Sequence, residues 1–276
     1  MIKRDGVALM NARTKGVSIA KETIEIMKQG HYTSPSGNVV DISTMQEAAV
    51  SGTVLYKEPL HTKDYEPAFP VLEVVNETTA QAAARLIAAG KTDVVALNFA
   101  SARNPGGGFL GGAMAQEEDL CRCSGLYACI KSKPIFYNEN ILYEGCCYTD
   151  NVIYSPKVPF FRDEHLMFLE EPFLLSIISA PAPNLSGVRP EGLDSMLEGI
   201  LRERALKILE VAEVNGHKNI ILGAWGCGAF GNDPEQIARV FMFALNKFPA
   251  FEHVCFAVYD TREPPVVYET FKRIIG

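Results

Sequence analysis

Two adjacent carboxylates, Glu117 and Glu118, stand a few residues after three consecutive glycines, Gly106, Gly107 and Gly108, with Gln116 directly before them. Acids placed this way suit the first turn of a helix, where free N–H groups and the helix dipole favour negative charge. The same pair suits glycosidic chemistry, in which one acid protonates the leaving oxygen while positive charge growing on the sugar is stabilised. Neighbouring residues of a helix point about 100° apart, so the two acids cannot address one bond equally. One has to be the acid/base and the other an aid. Glycines without Cβ let a backbone approach a ligand closely, and successive N–H groups can cup an anion. A second loop, Gly226, Cys227, Gly228, Ala229, Phe230 and Gly231, repeats the theme. Two such loops suggest two phosphates, hence a diphosphate; the plainer alternative for either is a tight strand-to-helix turn.

Both loops follow apolar runs and precede helical patterns. Asp93 to Ala100 reads as a strand ahead of the first loop, and Glu117 to Ile130 as a helix after it. Asn219 to Ala224 reads as a strand ahead of the second, with Asp233-Pro234 opening the next helix. Upstream, apolar spacing predicts a helix over about Asn11 to Lys28 closed by Gly30, then a loop-rich stretch from His31 to Ser51 with a weak strand at Val39 to Ile42. Pro70 to Asn76 reads as a strand, and Thr78 with Gln81 as a capping box opening a helix that ends on Gly90. Further strands are expected at Val152 to Tyr154, Leu174 to Ser179 and His253 to Asp260, with an amphipathic helix over Leu193 to Val214 and a short last helix. Tyr154 to Pro156 and Phe160 to Arg162 read as a crossing loop. Alternating strands and helices with continuous apolar strands predict an α/β sheet covered on both faces, with ligands at the strand carboxyl ends.

With 276 residues and 47% hydrophobic content the chain can bury a substantial core. A formal charge of −7 repels polyanions as a whole, so phosphates must be met locally and direct nucleic-acid binding is not expected. The seven cysteines are odd in number and irregularly spaced, which fits a reducing compartment and a cytoplasmic protein. Cys121 and Cys123 lack zinc-site spacing, so neither metal nor cofactor is expected. No apolar run of about 18 residues occurs, so no membrane association is expected. The five histidines, His31, His61, His165, His217 and His253, show no ligand spacing and are expected on the surface or in loops, while Trp225 is expected in the core. Neither a nucleotide-hydrolase nor a dinucleotide-binding glycine motif is present, which excludes the leading ATPase and hydride-transfer readings.

The run GGGFLGGAMAQEE resembles the poly(ADP-ribose) glycohydrolase signature of three glycines, six to eight residues and Gln-Glu-Glu. Leu97 to Glu118, Tyr154 to Val158, Pro181 to Asn184 and Gly223 to Pro234 resemble the motifs of its bacterial branch in order. The resemblance implies a macrodomain-like three-layer α/β/α fold with a mixed sheet, residues 66–276 forming the core and 1–65 an amino-terminal helical extension. It implies an exo-acting enzyme on ribose-ribose bonds that takes poly(ADP-ribose) or ADP-ribosylated protein and releases ADP-ribose. Glu118 would be the acid/base and Glu117 would orient the distal ribose. Asn98 and Asn104 would be further ribose contacts, Gln116 would sit at the site, both glycine loops would hold the diphosphate, and Phe230 would pack on the adenosine end. A hydrolase of single ADP-ribose units and a non-catalytic ADP-ribose reader remain the alternatives.

Overall fold

The computed structural model describes residues 2–58, 70–248 and 251–276. A seven-stranded mixed sheet runs through it in the order β3(Val54–Tyr56), β6(Val152–Arg162), β7(Phe168–Ala180), β5(Val94–Phe99), β8(Asn219–Gly223), β9(His253–Ala257) and β4(Val71–Val75). From β7 to β4 every pair is parallel, while β3, β6 and β7 pair antiparallel. Strand pleating sends alternate residues to opposite faces. Val95 and Leu97 pack with Ile208 of α7(Leu193–Val214), Phe241 of α8(Pro234–Lys247) and Phe271 of α9(Val266–Ile275). Val94 and Ala96 pack with Leu86 of α3(Thr79–Ala88), Leu120 of α4(Gln116–Cys123) and Leu126 of α5(Leu126–Lys131). Two apolar layers on a sheet buried on both faces make the expected three-layer arrangement.

The helix ends follow their sequence signals. Gln81 N–H donates to Thr78 Oγ1 at 3.2 Å while the Gln81 side chain accepts from Thr78 N–H at 2.8 Å, completing the capping box of α3. Asp233 caps α8 through Glu235 N–H, with Pro234 in the first turn. The first helix, α1(Ile2–Gln29), stops at Gly30.

Elsewhere tertiary contacts override the local signal. The stretch read as loop-rich forms the hairpin β1(His31–Thr33) and β2(Val39–Asp41) and then α2(Ser43–Ser51). Only Gln46 and Ala49 of α2 are buried, so it lacks an apolar stripe, and Gln46 instead donates to the Gly125 carbonyl. The helix read over Glu117 to Ile130 is broken at Ser124, whose backbone is extended and bridges to Phe160, and Gly125 N–H donates to Pro159. A helix not foreseen, α6(Pro134–Leu142), follows. Tyr154 to Pro156 and Phe160 to Arg162 are not a crossing loop: both lie in β6, whose register shifts between Ser155 and Val158 accommodate Pro156 as bulges do. The 65/66 boundary of the expected extension falls outside the described residues, and β3, on the extension side of it, is an edge strand of the main sheet.

Of the histidines, His61 lies outside the described residues, while His217 and His253 are buried, contrary to expectation. His217 bridges the Asp93 carbonyl and the Tyr154 hydroxyl, and His253 lies 3.3 Å from Glu73, so polar partners permit burial. No described helix is long and apolar enough to cross a membrane.

Arg204 fastens α7 beneath the site. It is 1% exposed and donates to the carbonyls of Cys147 at 2.9 Å and Pro181 at 2.8 Å and to Asp150 at 2.6 Å. Arg204→Ala leaves the buried Cys147 and Pro181 carbonyls without a donor, while Asp150 stays in contact with solvent, and is expected to cost about 1–3 kcal/mol for each carbonyl in chemical denaturation.

Candidate active site

The acids at the start of α4 are held by backbone N–H groups from two directions. Glu118, third residue of the helix, reaches back to accept from Ala115 N–H at 3.1 Å with Oε2 and accepts from Gly108 N–H at 2.8 Å with Oε1. Ala115 has no side chain able to cap, so Glu118 supplies the only side-chain half of this helix start. Glu117 turns the other way: Oε2 accepts from Ser101 N–H at 2.7 Å and Oε1 from Asn98 Nδ2 at 3.3 Å. Both are buried, at 3% exposed for Glu117 and 7% for Glu118. Burial pushes the Glu117 carboxyl up to about 8, opposed by the Ser101 N–H and Asn98, while the Glu118 charge adds to the rise.

The glycines serve these carboxylates. Gly107 adopts φ +56°, and a Cβ there would sit 2.5 Å from Glu118 Oε1 and 3.1 Å from Glu117 Oε2. Its N–H donates to the Asn104 carbonyl and that of Gly108 to Glu118, so these amides face protein acceptors instead of the phosphate cradle expected of them. Gln116 fixes the helix start to the sheet. Its Oε1 accepts from Phe99 N–H at 2.8 Å, and its Nε2 donates to the Leu97 carbonyl at 2.8 Å and Thr79 Oγ1 at 3.0 Å. The amide of Gln116 thus takes up backbone groups at the carboxyl end of β5, a positioning role.

One cleft of about 720 Å³ takes in Gly107, Gln116, Glu117 and Glu118 on one side and Gly226, Cys227, Gly228, Ala229 and Phe230 on the other. Among the described residues the N–H groups of Gly228, Ala229 and Phe230 donate to no protein acceptor, whereas Gly231 N–H donates to Gly228 within the turn. Burial pushes the Cys227 thiol up to about 12, which makes it a protonated wall residue and not a nucleophile. Phe230 faces the cleft with its ring 6.4 Å from that of Tyr148.

Five expected contacts do not line this cleft: Asn98, Asn104, Gly106, Gly108 and Gly231. Asn98 is fully buried, bonded to Glu117 and to Ser179 Oγ at 2.9 Å, so it positions the acid from below. Asn104 is exposed and shapes the glycine turn through its backbone. Arg162 is also remote. It is 3% exposed, pairs with Glu22 of α1 at 2.7 Å and lies over the Phe168 ring. Trp225 packs in the core as expected, its indole N–H donating to the Ala180 carbonyl.

The sequence reading missed the far wall. Tyr259, Asp260, Thr261 and Arg262 follow β9, and Asp260 accepts from Arg262 Nε and Nη2, each at 2.8 Å, and from Val267 N–H at 2.8 Å. The Arg262 guanidinium holds the Asp260 carboxyl well below the usual carboxylate range. No motif marks these residues; parallel pairing of β9 with β8 and β4 carries them to the site.

The amino-terminal helix also reaches the site. Arg13 Nε donates to the Gly111 carbonyl at 3.0 Å, and a Cβ on Gly16 would lie 3.1 Å from Gly112. Gly112 itself adopts φ +74°, and a Cβ there would collide with the Arg13 carbonyl. The helix therefore braces the turn joining the three glycines to the acids.

A buried acid pair beside a glycine-rich cleft, at the carboxyl ends of a mostly parallel sheet under two helical layers, describes a macrodomain-like glycohydrolase. Residues 20–163 match the family model for the microbial-type PARG catalytic domain. The poly(ADP-ribose) glycohydrolase of Thermomonospora curvata is 42% identical over 95% of this chain and all of that one, with a TM-score of 0.89. The same enzyme bound to the inhibitor ADP-HPD superposes with a TM-score of 0.87 at 42% identity, over 95% of this chain and 99% of that one. The Deinococcus radiodurans enzyme in complex with ADP-ribose is 40% identical over 85% of this chain and 98% of that one, with a TM-score of 0.75. Among curated proteins none matches the sequence. The chain belongs to the microbial poly(ADP-ribose) glycohydrolase family.

Gly112→Ala tests the brace. The left-handed backbone alone costs a side chain about 1–3 kcal/mol, and the displaced turn carries Gly108 away from Glu118. A lowered unfolding midpoint together with at least a roughly tenfold fall in kcat is expected, about 1.4 kcal/mol at the transition state, with ADP-ribose affinity retained.

Proposed function

We propose that the cleft binds the terminal ADP-ribose unit of a chain and that Glu118 releases it as free ADP-ribose. The observation that carries this reading is a buried carboxylate pair holding a proton near neutral pH, across one cleft from three consecutive N–H groups with no protein acceptor. Those groups, at Gly228, Ala229 and Phe230, suit a diphosphate in a chain whose overall charge repels anions. The Thermomonospora enzyme's complex with ADP-HPD and the Deinococcus enzyme's complex with ADP-ribose support the same class of ligand. Phe230 then packs on the adenosine side of the diphosphate.

The two acids divide the work by their surroundings. Hydroxyls of the bound ribose donate to Glu117, which favours its charged form, and Glu118 supplies the proton that the reaction needs. Glu118 gives that proton to the oxygen leaving the ribose C1″ as the C–O bond breaks, and the Glu117 carboxylate stabilises the positive ring. The Glu118 carboxylate then takes a proton from water, whose oxygen bonds to C1″, and free ADP-ribose forms with Glu118 reprotonated. Asn98 and Gln116 act through the acids they hold.

Glu118→Gln is expected to lower release of ADP-ribose from poly(ADP-ribose) by at least about 100-fold while calorimetry shows ADP-ribose still bound. Equal release by both proteins refutes the role of Glu118, and no release by either, with binding intact, identifies a reader or a hydrolase of another linkage.

A further inference from the structure

The cleft continues past Glu118 along α4 to a second polar cluster that the reaction scheme does not use: Asp119, Arg122 and Glu164. Among the described residues no donor hydrogen-bonds the Asp119 carboxylate. Arg122, one turn further on the same helix, is fully buried. Its Nη2 donates to the Ala113 carbonyl at 2.7 Å, while Nε and Nη1 have no acceptor. A buried guanidinium with two idle donors is costly unless a ligand or a neighbouring acid engages them. Burial and the Glu164 charge push the Asp119 carboxyl up to about 6, against the pull of Arg122, so the three groups act on one another.

We propose that Asp119, with Arg122 and Glu164, forms the subsite for the leaving side of the scissile bond and receives the hydroxyls of the ribose being released. This rests on the acid/base role of Glu118 given above. In a ribose-ribose bond the departing oxygen is one of two vicinal hydroxyl positions, so the group beside the protonated oxygen is another hydroxyl. A carboxylate next along the helix from the general acid is the acceptor that such a hydroxyl needs, as acidic residues serve ribose diols in dinucleotide sites. Two acids against one buried arginine disfavour a phosphate here. The acceptor oxygens of two acids suit the hydroxyl donors of a neutral polyol. Arg122 keeps Asp119 oriented and offers its idle donors to the same sugar's oxygens.

The test compares two substrates that share the ADP-ribosyl part. One is poly(ADP-ribose), whose leaving group is a ribose; the other is an ADP-ribosyl glycoside with a small aryl leaving group and no sugar. For Asp119→Asn and Glu164→Gln, kcat/KM on the chain is expected to fall at least tenfold, with kcat/KM on the aryl glycoside and the affinity for ADP-ribose within twofold of wild type. The Glu164 variant guards against misfolding at the more buried Asp119. Losses of equal size on both substrates, or none on the chain, overturn the subsite while leaving the role of Glu118 standing. A wild-type protein inactive on both substrates overturns the glycohydrolase reading and the subsite together.

Discussion

Burying two adjacent carboxylates is the constraint on which the rest of the structure depends. A desolvated charge is expensive, and a pair of like charges more so, unless donors converge on them or one is neutralised. This chain does both. Glu118 takes two backbone N–H groups, Glu117 takes the Ser101 N–H and the Asn98 amide, and Glu117 holds a proton into the neutral range. A helix start is the natural place for such an arrangement because its first N–H groups lack partners inside the helix.

Much of the surrounding sequence answers to that requirement. Gly107 has to lack a Cβ because the carboxylate oxygens occupy the space a side chain would take. Gln116 ties α4 to the end of β5, so the acids inherit the rigidity of a central strand. The brace from α1 reaches the same turn from outside through Arg13, which makes the amino-terminal helix part of the support for the acid pair. The second loop has a different task. Its unengaged N–H groups belong to residues that line the cleft, and its conformation is fixed from behind by Asn232, which donates to the Pro183 carbonyl at 2.8 Å.

Sequence alone showed the sheet order's raw material and the acids, because both rest on short-range signals. Apolar strands at Val94–Phe99 and Asn219–Gly223, the capping box at Thr78 and the four motifs are all local patterns. What it misassigned depends on direction. A glycine run announces a tight backbone but does not say which way its amides point, so Gly108 was read as meeting a phosphate when it meets Glu118. Asn98 was read as a ligand contact for the same reason, since side-chain chemistry is visible in a sequence and orientation is not. The α2 helix, with Gln46 and Ala49 as its only buried residues, and the far wall at Tyr259 to Arg262 exist through packing with distant strands.

The most direct test of this account is a carbon-13 titration of the glutamate carboxyls, assigned with Glu117→Gln and Glu118→Gln. The account predicts that the Glu117 carboxyl titrates near pH 8, far above an ordinary glutamate, and that ADP-ribose binding, whose hydroxyls favour its charged form, lowers that midpoint. A Glu117 carboxyl that titrates below about pH 5, with no change on adding ADP-ribose, would contradict it.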